Sequence, residues 1–522
     1  MVVTPAAVAT PHPQATLAAR DILLDGGNAF DAAVAAMLAL CTVQSHQVGL
    51  GGYGGNLVAY VARERKVIAI DFDSRAPHAF RPELFQSLPD RMLGYRAITA
   101  PAVLAGLDLV LKTRGTKTWK QVTRRAIEIA EEGFATDEAS ARFLAAWEQK
   151  TDAESRKHFF PNGNVPRAGE RWVQKDLARL LRRIGAEGID SFYRGDIARH
   201  IVSHIRAHGG IISERDFDQS LARATEPVTT SYRGHELNVP PPPAGGLTTL
   251  QILKVLEHFE LAKTERWGSN YFHLFAQAAL LCWKDRARAL GDPDVVKIPV
   301  EELLSPANIQ AKVREMSGGL PAHPPQSRDR MNHTANVTIT DSQGNVVSMT
   351  ATQGFVFGSQ VVIPETGLVM NHGMSRFDYG NPDLPNAPAP GKRMHHNMAP
   401  TIVLRDGQPR FAFGLPGGSK IITVTAQLAI NFIDFAMTPE QCVFSPRVHT
   451  ETGEPLSVSS AVTDATIAEL EQMGHRVVRG QTVGGPKDQI AGCASALMID
   501  PYGGRPTVAS QAAREAAMVL DE

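Results

Sequence analysis

Residues 330–353, RMNHTANVTITDSQGNVVSMTATQ, place a threonine where a chain cut would make it a catalyst. If the peptide bond before Thr334 opens, the freed α-amine and the hydroxyl belong to one residue. Such an amine, with a pKa of roughly 7.7–8, accepts a hydroxyl proton near neutrality. Nucleophile and base then share a side chain, an arrangement suited to attack on an amide carbonyl. The chemistry also needs an upstream segment loose enough to cut, an accessible hydroxyl and donors for the developing oxyanion. Residues 316–332, with Gly and Pro among charges, read as an exposed, mobile loop. FGLPGGS followed by IITVTAQLAI reads as strand, loop and helix, so Gly417 and Gly418 leave unhindered N–H groups at a helix start. Each signal has a plainer reading: β-branched residues suit strands, and an ordinary turn before a helix looks the same.

The elements that would position these groups follow from periodicity. Thr334, Asn336, Thr338 and Thr340 alternate with Ala335, Val337 and Ile339, and the segment turns back into a second alternating run, a β-hairpin. Pairing residue 341 with 346 sets residue 353 opposite Thr334 and Thr352 beside it. Upstream, 15–25 and 28–42 read as two helices split by Gly26-Gly27, with Asn28 as N-cap and the second helix apolar almost all round. VGLGGYGGNLVAYV and KVIAIDFDSRAP read as a strand pair, 103–212 as mostly helical, and 239–257 as a proline-rich loop entering a helix. Beyond the hairpin come strands at APTIVLRDG and PRFAFGLPGGS, helices at KIITVTAQLAINFIDF and DATIAELEQMG, and a strand at ASALMID. This alternation predicts an α+β protein in stacked layers.

Other chemistry finds little support. Gly49–Gly54 spells G-x-G-x-x-G, but it follows a helix and precedes a strand, the reverse of a dinucleotide site, so close backbone packing explains the glycines better. His395 and His396 are adjacent and lack helical ligand spacing, so they read as pocket-lining residues and not as metal ligands. The four cysteines are scattered, indicating neither a disulfide framework nor a zinc cluster. With 53 basic and 54 acidic residues among 522, nothing favours nucleic acid or an anionic membrane. No apolar run of spanning length and no signal-peptide pattern is seen, which predicts a soluble, cytoplasmic protein without metal or organic cofactor.

Several long motifs in one order carry a resemblance. GGNAFDAAVAAMLALCTVQSHQVGLGGYGG, VQKDLARLLRRIGAEGIDSFYRGDIA, VPPPPAGGLTTLQ, TANVTITDSQGNVVSMTAT, FGSQVVIPETGLVMN, KRMHHNMAPTIV and GLPGGSKIITV together resemble the γ-glutamyltranspeptidase family of N-terminal-nucleophile hydrolases. The resemblance implies a proenzyme that cuts itself between His333 and Thr334, with 1–333 and 334–522 staying intertwined as one four-layer αββα sandwich. A dimer of such heterodimers is a further option. It implies that Thr352 hydrogen-bonds the nucleophile, that Gly417 and Gly418 form the oxyanion hole, and that the polar hairpin face lines the active site.

The substrate pocket departs from the family. Asp73 stands where an arginine is common, with Arg75 two positions on and on the same strand face. Gly373 replaces a glutamine, Gly354 an asparagine, and His396-Asn397 a pair of serines that grip an α-carboxylate. Arg376 replaces the aspartate that would hold an α-ammonium. A guanidinium repels an ammonium and suits a carboxylate. The expected reaction is therefore hydrolysis of a small amide bearing a carboxylate but no α-amine, oxamate-like or glutaryl-like. Pairing of Arg376 with Asp378 or Asp73 outside the pocket is the plainer alternative. Rival functions are γ-glutamyl transfer with glutathione hydrolysis, and an inactive binding or structural member of the family.

Overall fold

A computed structural model describes residues 5–148, 153–160, 163–219, 221–317, 333–480, 492–500 and 504–520. Two antiparallel sheets lie face to face. The first runs, in spatial order, Ala517–Leu520, Ala6–Ala9, His333–Thr340, Val346–Gly354, Gly54–Val61, Lys66–Asp73 and Arg223–Thr225. The second runs Thr507–Ser510, Ser495–Met498, Gln408–Gly414, Thr401–Arg405, His235–Val239 and Val228–Tyr232. Helices Ala29–Val43 and Val103–Arg114 cover the outer face of the first sheet, and Gly246–Leu256 and Lys420–Ile433 that of the second. This is the expected αββα sandwich. Among the described residues, no helix is long and apolar enough to cross a membrane.

The helix Ala29–Val43 shows how sequence sets the layer beneath the hairpin. Every residue in it is buried, and its small side chains let it lie between the sheet and the helices Pro13–Leu24 and Trp119–Glu132. Asn28 caps it: its Oδ1 accepts from the Phe30 and Asp31 N–H groups at 2.9 and 3.0 Å, and Asp31 accepts from the Asn28 N–H at 3.0 Å. This reciprocal cap contributes about 1 kcal/mol. Ala335, Val337 and Ile339 on one hairpin strand, with Val347, Met349 and Ala351 on the other, join the same apolar core.

The hairpin register differs by one residue from the sequence expectation. Val346 pairs with Thr340, and the pairing continues to Ala351 opposite Ala335. Asp341 lies in the turn and not in the ladder. Its carboxylate accepts from the Gln343 and Asn345 N–H groups at 3.0 and 2.9 Å and from the Ala29 N–H, at the helix start, at 2.8 Å. The shift matters because a one-residue slip exchanges the two faces of a strand. In the observed register Ser348 and Thr350 share the inner face with Thr338 and Asn336.

That inner face does not line an open site, contrary to expectation. Asn336, Thr338, Ser348 and Thr350 are buried between the sheets. Asn336 Nδ2 donates to Thr350 Oγ1 at 2.9 Å and to the Met349 carbonyl at 3.1 Å. Ser348 Oγ donates to the Phe413 carbonyl of the second sheet at 3.1 Å, and Ser495 Oγ to the Asn336 carbonyl at 3.4 Å. The polar stripe is a hydrogen-bonded seam between sheets, as buried polar groups require. Only its Thr334 end reaches the region where chemistry is expected.

Of the loop expected over 316–332, Met316 instead ends the helix Pro306–Met316, and 318–332 lie outside the described residues.

Candidate active site

Thr334 sits near the start of the strand His333–Thr340, opposite an irregularity in its neighbour. Ala351 pairs with Ala335 and Gly354 with His333, so Thr352 and Gln353 together face Thr334. The bulge brings the Thr352 hydroxyl to 3.3 Å from Thr334 Oγ1. Thr352 Oγ1 also accepts from the Gly354 N–H at 2.9 Å. Both threonines are buried. In the uncut chain the Thr334 nitrogen is an amide, so the base required for turnover would arise only with the cut.

The strand Gln408–Gly414 carries the chain toward this end of the hairpin. Gly414 lies against Asn336, where a Cβ on the glycine would meet Asn336 Nδ2 at 2.1 Å. The loop that follows leads into the helix Lys420–Ile433, with Gly417 and Gly418 at φ +145° and +62°. Both angles favour glycine. Among the described residues, neither glycine N–H donates to a backbone carbonyl, while their own carbonyls accept from Lys420 and Ile421. Among the described residues the two N–H groups therefore have no backbone acceptor, and they lie at a helix start.

The residues expected to grip substrate fall into three groups. Gly373 and Gly354 are packing positions: a Cβ on Gly373 would meet Thr99 Oγ1 at 2.3 Å, and one on Gly354 would meet His372 Nε2 at 2.2 Å. Arg75 has partners of its own. Its guanidinium donates to the Gly391 carbonyl at 3.1 Å and to Asp294 at 3.3 Å, within a cluster that includes Asp292. A carboxylate partner nearby, absent from the sequence reasoning, draws it away. His396 and Asn397 are also engaged: His396 Nε2 lies 2.9 Å from Asp73 Oδ2, and Asn397 Oδ1 accepts from Arg286 Nη2 at 3.0 Å.

Arg376 is different. It closes the short helical turn Gly373–Arg376, and among the described residues its guanidinium forms no ion pair. Its Nε is buried without an acceptor. Asp378, the partner offered by the plainer reading, instead accepts from Asn386 at 3.1 Å, and Asp73 is held by His396. Asn386 also donates to the Arg376 carbonyl at 2.9 Å and accepts from the His395 N–H at 2.8 Å, joining the two segments that frame this cation.

Electrostatics follow from burial. Arg286 is buried with Nε and Nη1 unpartnered; burial and the nearby Arg376 charge lower its pKa to about 9. Burial lowers His396 to about 3, so it is neutral, and His395 is pushed well below its ordinary value by burial and by Arg286 and Arg376. Burial raises the Asp73 carboxyl to about 6, and it raises Asp71 as well, with added repulsion from Asp73. Tyr53 is buried, which raises its phenol, and Arg376 and Asp73 are its charged neighbours. Sequence reasoning did not single out Tyr53, Arg286 or Asn386. Two weak signals existed: one aromatic residue in a glycine run, and the charged run Lys284-Asp285-Arg286 late in the helix Ser269–Ala289. The glycines of that run do serve close packing, since a Cβ on Gly51 would lie 2.2 Å from the Val369 carbonyl oxygen.

The Gamma-glutamyltranspeptidase family model matches residues 15–512. The chain is 35% identical to the Acylase ACY 1 proenzyme of Pseudomonas sp. (strain SE83), over 93% of this chain and 89% of that protein. It is 31% identical to the Glutathione hydrolase proenzyme of Bacillus subtilis (strain 168), over 90% of this chain and 84% of that protein. The crystal structure of cephalosporin acylase from Bacillus halodurans matches with a TM-score of 0.90 and 26% identity, over 100% of this chain and 96% of that one.

Proposed function

Because the chain belongs to the γ-glutamyltranspeptidase family, as an amide-bond hydrolase or acyltransferase, we propose that Thr334 is its self-generated nucleophile. The precursor cuts itself between His333 and Thr334. The Thr334 hydroxyl attacks the His333 carbonyl, the peptide C–N bond breaks as an ester forms, and water hydrolyses that ester. In turnover the same oxygen attacks the substrate amide, and the new α-amine takes its proton and passes it to the leaving nitrogen. The Gly417 and Gly418 N–H groups receive the oxyanion, a role in which one donor is worth on the order of 10²–10³ in rate. Water then releases the acyl group.

The substrate is a small amide whose acyl part carries a carboxylate and no α-ammonium, oxamate-like or glutaryl-like. One observation carries this reading: among the described residues Arg376 forms no ion pair, and it is near enough to a second cation, Arg286, to lower its pKa. An α-ammonium there would be repelled, whereas a carboxylate would supply the missing charge. The relative that is 35% identical is named an acylase, which agrees with an acyl group other than γ-glutamyl.

Denaturing mass spectrometry of purified protein, with the N-terminus of the smaller fragment sequenced, tests the first half. A fragment starting at Thr334 is expected, and an intact chain after long incubation would refute self-cleavage. Hydrolysis of oxamate and glutaryl amides, measured beside glutathione, tests the second. A preference for glutathione, with acceleration by dipeptide acceptors, would instead establish γ-glutamyl transfer.

A further inference from the structure

Arg286 reaches across the chain to a residue on the far side of the proposed cut. It belongs to the helix Ser269–Ala289 and is 1% exposed. Its Nη2 donates to the His396 carbonyl at 2.8 Å and to Asn397 Oδ1 at 3.0 Å. Nε and Nη1 are enclosed without an acceptor, which shuts them off from a bound substrate. Arg286 therefore acts through what Nη2 holds. A guanidinium donates and never accepts, so the Asn397 amide must turn its oxygen toward Arg286 and its NH2 group away. Among the described residues Nδ2 donates to nothing, and it is not enclosed as Arg286 Nε and Nη1 are. The main chain beside it is held by the Pro243 carbonyl, which accepts from the His396 N–H at 3.1 Å, and by the Gly245 N–H, which donates to the Met398 carbonyl at 3.0 Å. A Cβ on Gly245 would lie 2.5 Å from the Asn397 carbonyl oxygen. What is left to set is the orientation of the side-chain amide. Asn386 ties this segment to Arg376, accepting from the His395 N–H at 2.8 Å and donating to the Arg376 carbonyl at 2.9 Å. An open amide donor and the Arg376 cation thus stand on adjoining segments.

We propose that Arg286 is a positioning residue for substrate recognition: by holding Asn397 Oδ1, it turns the Asn397 NH2 toward the substrate carboxylate that Arg376 receives. The assignment rests on the carboxylate reading above. A freely turning amide would present its oxygen to that carboxylate as readily as its NH2, and two acceptors repel. Held by Arg286, the amide needs no ordering when substrate binds.

Asn397→Asp is the discriminating test, because it keeps an oxygen for Arg286 and replaces the NH2 by a second oxygen. A pair that served only to hold the segment would leave this variant equal to the parent on every substrate. Instead, kcat/KM for a carboxylate-bearing amide should fall by about tenfold or more, chiefly through KM. The same amide with its carboxylate capped as a primary amide should change less than about threefold. Arg286→Met should lower kcat/KM for the carboxylate substrate by about three- to thirtyfold, and by less than about twofold further in the Asn397→Ala background. Three results would overturn the assignment: parent-like use of the carboxylate substrate by Asn397→Asp, equal losses on the two substrates, or the full Arg286→Met loss persisting in the Asn397→Ala background. If Arg286→Met does not fold, Asn397→Asp decides alone. Parent kinetics isolate the premise. A parent enzyme that uses the capped amide as well as the carboxylate would remove the carboxylate reading itself, whatever Arg286 does.

Discussion

Replacing Arg376 by methionine probes the substrate reading most directly. The change keeps length and packing but removes a guanidinium whose Nε is buried without an acceptor. A bound carboxylate would form one or two charge-assisted hydrogen bonds with it, each worth roughly 1.5–3 kcal/mol. The surroundings favour the upper part of that range, because Arg286 is close enough for Arg376 to depress its pKa, and among the described residues neither cation forms an ion pair. At roughly 1.4 kcal/mol per factor of ten, one such bond in the upper part of the range, about 2.3–3 kcal/mol, means that kcat/KM for a carboxylate-bearing amide should fall about 40- to 140-fold. A matched amide whose carboxylate is capped as a primary amide should change less than about threefold. The assay is initial-rate kinetics on the two substrates with mature enzyme, and the ratio of the two losses is the informative quantity. Equal losses on both would mean that Arg376 supports the fold or the nucleophile and not recognition. Arg376→Asp sharpens the contrast, because it should depress the carboxylate substrate further while admitting an α-ammonium.

Gly418→Ala should cost about 1–2 kcal/mol of stability, because φ of +62° is the left-handed region. It should also lower kcat by on the order of 10² if an oxyanion donor is displaced; stability loss with kcat unchanged would remove that role. Asp73→Asn keeps an acceptor for His396 Nε2 but cannot ionise. The folded Asp73 carboxyl titrates near 6 against an ordinary 3.8, so its protonated form is favoured in the fold and stability is lost as pH rises through that window. The variant should therefore gain relative to the parent between pH 4 and 6, by up to roughly 3 kcal/mol, and a flat difference in urea unfolding across that range would refute the burial argument. After the cut, the two pieces should stay together under native conditions and separate only on denaturation, as size-exclusion chromatography against a denaturing gel would show.

The sequence made the layered architecture legible because its signals are local. Asn28 with Asp31 announces a helix start, alternation announces the hairpin, and glycines at φ +145° and +62° mark the loop at residues 417–418. The hairpin register was not legible from alternation alone, because Asp341 fixes it through a bond to Ala29, 312 residues away. Arg75 and Arg376 were equally plausible cations by residue type. What separates them is the neighbourhood: Asp292, Asp294 and the Gly391 carbonyl surround one, and among the described residues no carboxylate pairs with the other. Tyr53 escaped notice because its place beside Gly354, which it shares with the His372 ring, is set by the fold and not by any local signal.

The polar seam between the sheets bears on how a chain can be cut at its catalytic residue without losing it. Cleavage before Thr334 would free one end of a strand, and a freed end usually frays. Here the strand His333–Thr340 lies between Ala6–Ala9, upstream of the cut, and Val346–Gly354, downstream of it. The second sheet is mixed in the same way, with His235–Val239 paired to Thr401–Arg405. Backbone ladders to both pieces therefore flank the cut strand. Apolar contacts alone would hold it without fixing its position along the seam, because they are not directional. Asn336, two residues from Thr334, bonds Ser348, Met349 and Thr350, while its carbonyl receives Ser495 from the opposite sheet. Those bonds have a single register, so Thr334 Oγ1 can keep its place against Thr352 when the bond behind it is gone.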